Sequence, residues 1–566
     1  MVKLREFAKP AVSVPLALFA LALLLRLIGV DWHGHHNDED LGGPARVLSG
    51  DFHPRSYYYP PLLTYLVAVA DVLLFALGWL LAWWHSASEF RAAYFTDWTP
   101  FFVTARTAVA ICSATAAPIA WALARQVRLS RNAAVMAGLA AALLPGAIYW
   151  AHIAKSDSAL GPAYLLCVLC ALRMAERPSS LARPVQLGIA IALAVSFKQS
   201  AVFFLFPAFA FFAPWSLYNA AERRPLIRSW VVATTAAAIA IAILNLAIIV
   251  DPKPFVQAQE VQSQMSFRAA SFDETLRIWR QQLVSPNNGL PVITLMGAVG
   301  LWGLGVARSR PSARLLLVLL GIGWIGATVI ILALVGARQP LQLWLPNLVV
   351  GFVAAAIAAG ILVDSTNRIL RPVGYGGFGL LVVSAVIRIV PILDQATAPP
   401  MQASVAAVIR GTVPPAGKIV SNVDFSSYLP LSRESQTWPR ARHERLAKIY
   451  GVKLPPPDRP FTGVANGYTI VDFPWVIGGL EAFSADQVKV VVPYAWPLQP
   501  EEWDLSWWLG QGFHVFVVSD EAGLKNDPVP AYRRFFRSLD RCSLLKRLPP
   551  RRPLFAERET SIYQCD

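Results

Sequence analysis

Apolar runs of about twenty residues alternate with short polar stretches from the start of the chain to about residue 395. Runs of that length cross a bilayer as helices. They fall near 11–30, 101–123, 132–150, 158–175, 229–250, 291–307, 314–334, 342–363 and 373–393, with shorter runs at 185–197 and 200–217. One more apolar stretch, 61–84, carries Thr64, Tyr65, Asp71 and several tryptophans and opens on Pro-Pro. From about 396 the pattern changes. Gly417–Ser421, Val488–Val492 and His514–Ser519 are short apolar runs bounded by turn residues and predict strands. Helical stretches lie between them at 440–450 and 529–540. The expected fold is a polytopic α-helical membrane module over 1–395, followed by a soluble α/β domain over 396–566. The second is of ordinary domain size.

Charge assigns the sides. Arg125, Arg128 and Arg131 follow the run 101–123, and Glu222–Arg228, Arg308–Arg314 and Arg368–Arg371 follow later runs. Basic short loops mark the cytoplasmic face. Placing them all on one side requires that either 61–84 or 101–123 does not cross. The polar content of 61–84 makes it the interfacial or re-entrant helix. The count is then about eleven crossings, with the C-terminus outside. The chain of 566 residues is 55% hydrophobic and only 15% charged, with mean hydropathy +0.47, well below the charge of soluble domains. Its net charge of +15 therefore reflects topology and anionic lipid head groups rather than a nucleic-acid partner. The first run is long, contains Arg26 and has no small-residue cleavage site before Asp31, so it reads as a retained span. Cys112, Cys167 and Cys170 lie in apolar runs. Cys542 and Cys565 lie in the polar C-terminal part, where an exoplasmic setting permits a disulfide.

The first outer loop is rich in chemistry that crossing a bilayer does not need. It reads His33-Gly34-His35-His36-Asn37-Asp38-Glu39-Asp40, and about twenty residues later Tyr57-Tyr58-Tyr59-Pro60-Pro61-Leu62-Leu63. Charges at a membrane edge tend to mark function. This pair of motifs resembles the start of the C-superfamily (GT-C) membrane glycosyltransferases, of the aminoarabinose transferase and protein O-mannosyltransferase kind. In those families a His-Pro-Asp-Glu stretch follows the first span, and an aromatic-Pro-Pro-Leu stretch follows that. Here Asn37 replaces the Pro, which removes a rigid residue and keeps the acid. The likeness is specific in order and spacing over about the first two hundred residues. It implies juxtamembrane helices under the first outer loop, a catalytic acid at Asp38 and a second acid in the next outer loop, where Asp157 stands. It also implies a superfamily that usually inverts the sugar linkage.

The charge argument alone sets Asp38 and Asp157 on one face. One acid can take the proton of an acceptor hydroxyl or amine as the new bond forms. A phosphate leaving group needs cations or a metal to neutralise it instead. Asp38, Asp157 and Glu39 are the catalytic candidates. Lys198 lies between apolar runs, where a lysine either snorkels or meets an anion. Arg338 has the same two readings, with a fork suited to phosphate. Lys155 and His152 flank Asp157 and are further candidates to meet phosphate, and Tyr58 and Tyr59 open the Pro-Pro stretch; with Lys198 and Arg338, Lys155 and the two tyrosines make up the expected phosphate site. His36, His35 and His33 are candidate ligands for a divalent metal (Mg, Mn or Zn), with His53 nearby, or else solvated loop histidines. In the C-terminal part, Glu434, Trp438, Trp503, Trp507 and Trp508 read as a core or interfacial aromatic group before a glycan contact.

These features predict a glycosyltransferase of the bacterial inner membrane, acting on the periplasmic side. The donor is a polyprenyl-phosphate-linked sugar, and the acceptor a lipid, glycan or protein. A lipid-linked sugar flippase is the main alternative, and a lipid acyltransferase a weaker one. Transporters hold their polar groups near the midplane, whereas these acids stand at one face.

Overall fold

The structure is a computed structural model. It describes residues 10–31, 39–53, 59–96, 98–220, 223–266, 270–287, 289–337, 339–435, 437–438, 441, 444, 463–473, 500–527 and 530–566. The chain divides into two compact units, with the main boundary between Asp394 and Gln395.

The first unit is helical throughout: α1 (Pro10–Leu27), α2 (Gly42–Leu48), α3 (Leu62–Leu80), α4 (Ala87–Thr96), α5 (Thr99–Ala114), α6 (Ala116–Gln126), α7 (Arg131–Ala142), α8 (Pro145–Ala151), α9 (Asp157–Glu176), α10 (Ala182–Phe197), α11 (Val202–Asn219), α12 (Arg223–Leu244), α13 (Leu246–Val250), α14 (Lys253–Ser266), α15 (Phe272–Val284), α16 (Val292–Arg308), α17 (Pro311–Val335), α18 (Leu345–Val363) and α19 (Leu370–Thr397), the last crossing the boundary. Among the described residues, eight helices or helix pairs are long and apolar enough to cross a membrane. The chain is a multi-pass membrane protein. α9 and α18 are buried on nearly every side and form the centre, as helices apolar all round do. They meet at small residues: a Cβ on Gly161 would stand 2.9 Å from Val349. Such contacts let helix backbones approach without a hydrophobic drive. α3 and α12 lie outside and keep apolar faces exposed.

α3 is one unbroken helix of nineteen residues, long enough to cross by composition. Leu62 and Leu66 pack with Ala159 at the start of α9, Phe197 at the end of α10 and Leu244 at the end of α12. Val67 and Leu74 pack with Phe101 and Ala105 at the start of α5. The continuity of α3 excludes the re-entrant form. Seven long apolar segments, the bent pair α7–α8 and three shorter helices (α1, α10, α16) then correspond to the eleven expected spans. The outer loop expected over 251–290 is helical in α14 and α15. Ser271 caps α15 by accepting from the Glu274 amide, the Ser-x-x-Glu start signal that the sequence reading passed over.

Pro145 explains the bend between α7 and α8. It has no N–H to give the carbonyl of Ala141. Arg26, fully buried in α1, fills the gap: it donates to Ala141 O (3.3 Å), Ala142 O (3.1 Å) and Ser113 Oγ (2.9 Å).

The second unit holds α20 (Met401–Thr412) and five strands, β1 (Lys418–Ser421), β2 (Thr469–Asp472), β3 (Val515–Ser519), β4 (Ser543–Leu548) and β5 (Thr560–Gln564). Their order is β2-β1-β3-β5-β4, parallel at β2-β1-β3 and antiparallel beyond. Side chains alternate across a strand. Ile419, Ile470, Val515, Val517 and Ile562 face a core with Val405 and Ile409 of α20. Val420, Val471, Phe516, Val518 and Tyr563 face another with Trp508, Phe535 and Phe536. The expected strands at 417–421 and 514–519 and the helix at 529–540 correspond to β1, β3 and Pro530–Ser538. The strand expected at 488–492 and most of the helix at 440–450 lie outside the described residues. The tryptophans are core: Trp508 is fully buried, and Trp438 stacks on it at 5.9 Å. Cys542 and Cys565 are disulfide-bonded.

Candidate active site

The helix order brings three separated segments to one end of the first unit. The end of α8 leads through Ala154-Lys155-Ser156 into α9, which begins at Asp157. α10 returns to the same end and breaks at Lys198, whose backbone is extended (φ −160°, ψ 129°) before a short 3-10 turn and α11. Asn245, at the break after α12, donates to Ser196 Oγ (2.7 Å) and so ties α12 to α10 two residues before that lysine. The Pro60-Pro61 start of α3 carries Tyr59 to this end.

Asp157 and Lys198 form a buried ion pair, Nζ to Oδ1 at 2.5 Å. Asp157 is 1% and Lys198 7% exposed. A lysine so placed is tolerable only with a counter-charge. The ammonium has three donors and Asp157 takes one. The Tyr59 ring faces both lysines, Lys198 at 4.9 Å and Lys155 at 5.7 Å from its centroid. Asp157 Oδ2, Ser156 Oγ and Ser158 Oγ are buried with no hydrogen-bond partner among the described residues. Buried polar atoms are nearly always satisfied. These three consecutive exceptions stand beside two buried lysines, Lys155 and Lys198.

Glu39 has a different role from the catalytic one expected of it. Both of its oxygens accept from Arg106, Nε at 2.8 Å and Nη2 at 2.8 Å, and Oε1 also accepts from the Ala154 amide at 2.7 Å. This two-pronged geometry is what a guanidinium offers a carboxylate. Arg106 donates further to Val30 O. Glu39 thus ties the first loop to α5 and to the segment entering α9. His152 is also corrected. It is fully buried, with Nδ1 on Ile148 O (2.8 Å) and Nε2 on Ile28 O (2.7 Å), so it braces α8 against α1 and does not meet phosphate. Asp40 accepts from the Gly43 amide (3.0 Å) at the start of α2.

Asp38, Arg338, Tyr58, His33, His35 and His36 lie outside the described residues. Among those described, no three His, Cys, Asp or Glu side chains converge where a metal would sit. The tie from Arg106 to Glu39, the brace by His152 and the serines beside Asp157 were not singled out from sequence. Arg106, an arginine within an apolar run, was the signal available for the first.

The chain has the fold of the C-superfamily (GT-C) membrane glycosyltransferases. The crystal structure of ArnT from Cupriavidus metallidurans in the apo state superposes with TM-score 0.52 at 13% identity, covering 98% of each chain. The same enzyme bound to undecaprenyl phosphate gives 0.50 at 14% identity, covering 97% of each. The Archaeoglobus fulgidus oligosaccharyltransferase in complex with Zn and sulfate gives 0.48 at 14% identity, over 91% of this chain and 68% of that one. Residues 101–250 match the family described as dolichyl-phosphate-mannose-protein mannosyltransferase. No curated protein sequence matches the chain. The family match and the fold together support glycosyl transfer from a lipid-linked sugar.

Proposed function

We propose that the chain moves a sugar from a polyprenyl-phosphate-linked donor to a lipid, glycan or protein acceptor on the exoplasmic face of the bacterial inner membrane. The reading rests above all on the buried Lys198–Asp157 pair, set with Lys155 against the Tyr59 ring. Two lysines at one end of a membrane bundle are suited to a phosphate that must leave as an anion. The similar enzyme solved with undecaprenyl phosphate supports a carrier of that chemistry.

In this reading Lys198, Lys155 and Arg338 neutralise the donor phosphate, and Tyr58 and Tyr59 wall the site. Asp38 removes the acceptor proton as the new bond to the sugar forms. Attack opposite the departing phosphate inverts the linkage. Asp38 precedes Glu39 in the chain, and Glu39 is tied to Arg106 and Ala154. Asp157 orients Lys198. His33, His35 and His36 are proposed as ligands for a divalent metal. Chelation followed by assay tests that element alone.

The test is transfer by purified full-length protein in detergent, offered polyprenyl-phosphate sugars and a membrane extract as acceptor source. Appearance of labelled product with loss of labelled donor supports the proposal. Transbilayer movement of the donor without cleavage of its sugar–phosphate bond would establish the flippase instead.

A further inference from the structure

The far end of the α9–α10 pair holds a second polar site. α9 begins with Asp157 and α10 ends at Lys198, so the turn joining them lies at the opposite end of both helices. With sixteen residues, α10 sets the two ends about 24 Å apart. There a cleft of about 370 Å³ opens between the turn and the start of α12, lined by Ser179, Ser180, Leu181, Arg224, Arg228 and Ser229 among others.

We propose that this cleft binds the phosphate of an anionic membrane lipid. Four observations converge. Arg224 and Arg228 are four residues apart and share one face of α12; among the described residues neither forms an ion pair. Residues 173–183 and 222–228 hold six arginines against two glutamates. The cleft walls are fixed to each other, because Ser229 Oγ donates to Pro178 O at 2.6 Å. α10 starts at the cleft with no side-chain cap, leaving its first amides and dipole directed toward an anion. Exposed apolar side chains adjoin the arginines: Leu181 is 63%, Ile227 50% and Val231 60% exposed. A phosphate ion has no use for that surface and an acyl chain does, so a lipid is the source the site fits. A bound headgroup would bridge the α9–α10 turn to α12.

The experiment is native mass spectrometry of the full-length protein incubated with phosphatidylglycerol or phosphatidylcholine. The wild type retains phosphatidylglycerol selectively. In Arg224→Gln/Arg228→Gln retention falls roughly tenfold or more, since each basic residue at an anionic surface contributes severalfold. Arg224→Lys/Arg228→Lys keeps the charge and falls between the two, which covers a glutamine pair that fails to fold. Arg310→Gln, a basic loop position outside the cleft, keeps wild-type retention. Unchanged retention in the glutamine pair, or an equal loss in Arg310→Gln, overturns the site. Displacement of the lipid by an equal concentration of inorganic phosphate overturns the lipid assignment.

Discussion

A lysine beside a carboxylate in a membrane bundle is stable as a pair and costly alone. Removing one partner of a buried ion pair leaves an uncompensated charge, which costs about 3–5 kcal/mol. Asp157→Asn should therefore lower the unfolding temperature of the purified protein sharply. Asp157→Asn/Lys198→Met should recover much of that loss, because both charges are gone. Losses that simply add would show that the two side chains do not interact. Lys198→Ala addresses its role toward the donor. It should raise the donor KM more than it lowers kcat, and an unchanged donor KM would return Lys198 to a purely structural part. Much of this site could be read from residue type. Asp157 and Lys198 stood out as ionisable groups beside apolar runs. Their pairing did not, because the 41 residues between them are brought together only by the antiparallel return of α10 on α9. For the same reason Glu39 looked like a free acid until Arg106, 67 residues away, was seen on it.

At the scale of elements, Glu39 joins α5 to the approach to α9. Arg106 reaches both oxygens of Glu39 from α5, while the Ala154 amide holds the same carboxylate from the approach to α9. Lysine keeps the charge but not the fork. Arg106→Lys should cost about 1–3 kcal/mol of stability, the range for a buried polar group left partly unsatisfied. In a Glu39→Gln background the same change should cost less. Thermal unfolding of the four proteins gives the coupling directly, and equal costs in both backgrounds would remove the tie. The hydrophobic runs made nearly every membrane helix legible. They do not set α3 apart, since its length and hydropathy equal those of a span. The parity of basic loops is what predicts an interfacial α3.

The C-terminal unit carries its own electrostatics. Burial works to raise the pKa of Glu521, but hydrogen bonds from Lys525, Ser561 and Tyr563 prevail and hold it below the ordinary carboxyl range. A depressed carboxyl stabilises the fold above its unfolded-state pKa, and that contribution is lost as pH falls through the folded value. Lys525, held above its usual value against burial by Asp540 and Glu521, contributes below its unfolded pKa and loses that as pH rises through the folded one. Resistance of the full chain to denaturant, followed by near-UV circular dichroism, should weaken on acidification below about pH 4. Glu521→Gln should flatten that acid limb, and an unaltered limb would assign it to other groups. The sheet was only partly legible. β1 and β3 are central, apolar and bounded by turns, whereas β4 is an exposed edge strand with Lys546 and Arg547. An edge strand has one unpaired side and lacks the buried pattern that marks a strand in sequence.

Base-assisted transfer of a sugar from a lipid phosphate is tested most directly at Asp38. Asp38→Asn keeps size and most hydrogen bonding and removes the base. Turnover of a polyprenyl-phosphate sugar by the purified variant should fall by about 10²–10⁴-fold, the usual contribution of a general base. Its unfolding temperature and donor affinity should stay near those of the wild type. Near-normal turnover by well-folded Asp38→Asn protein would contradict the account.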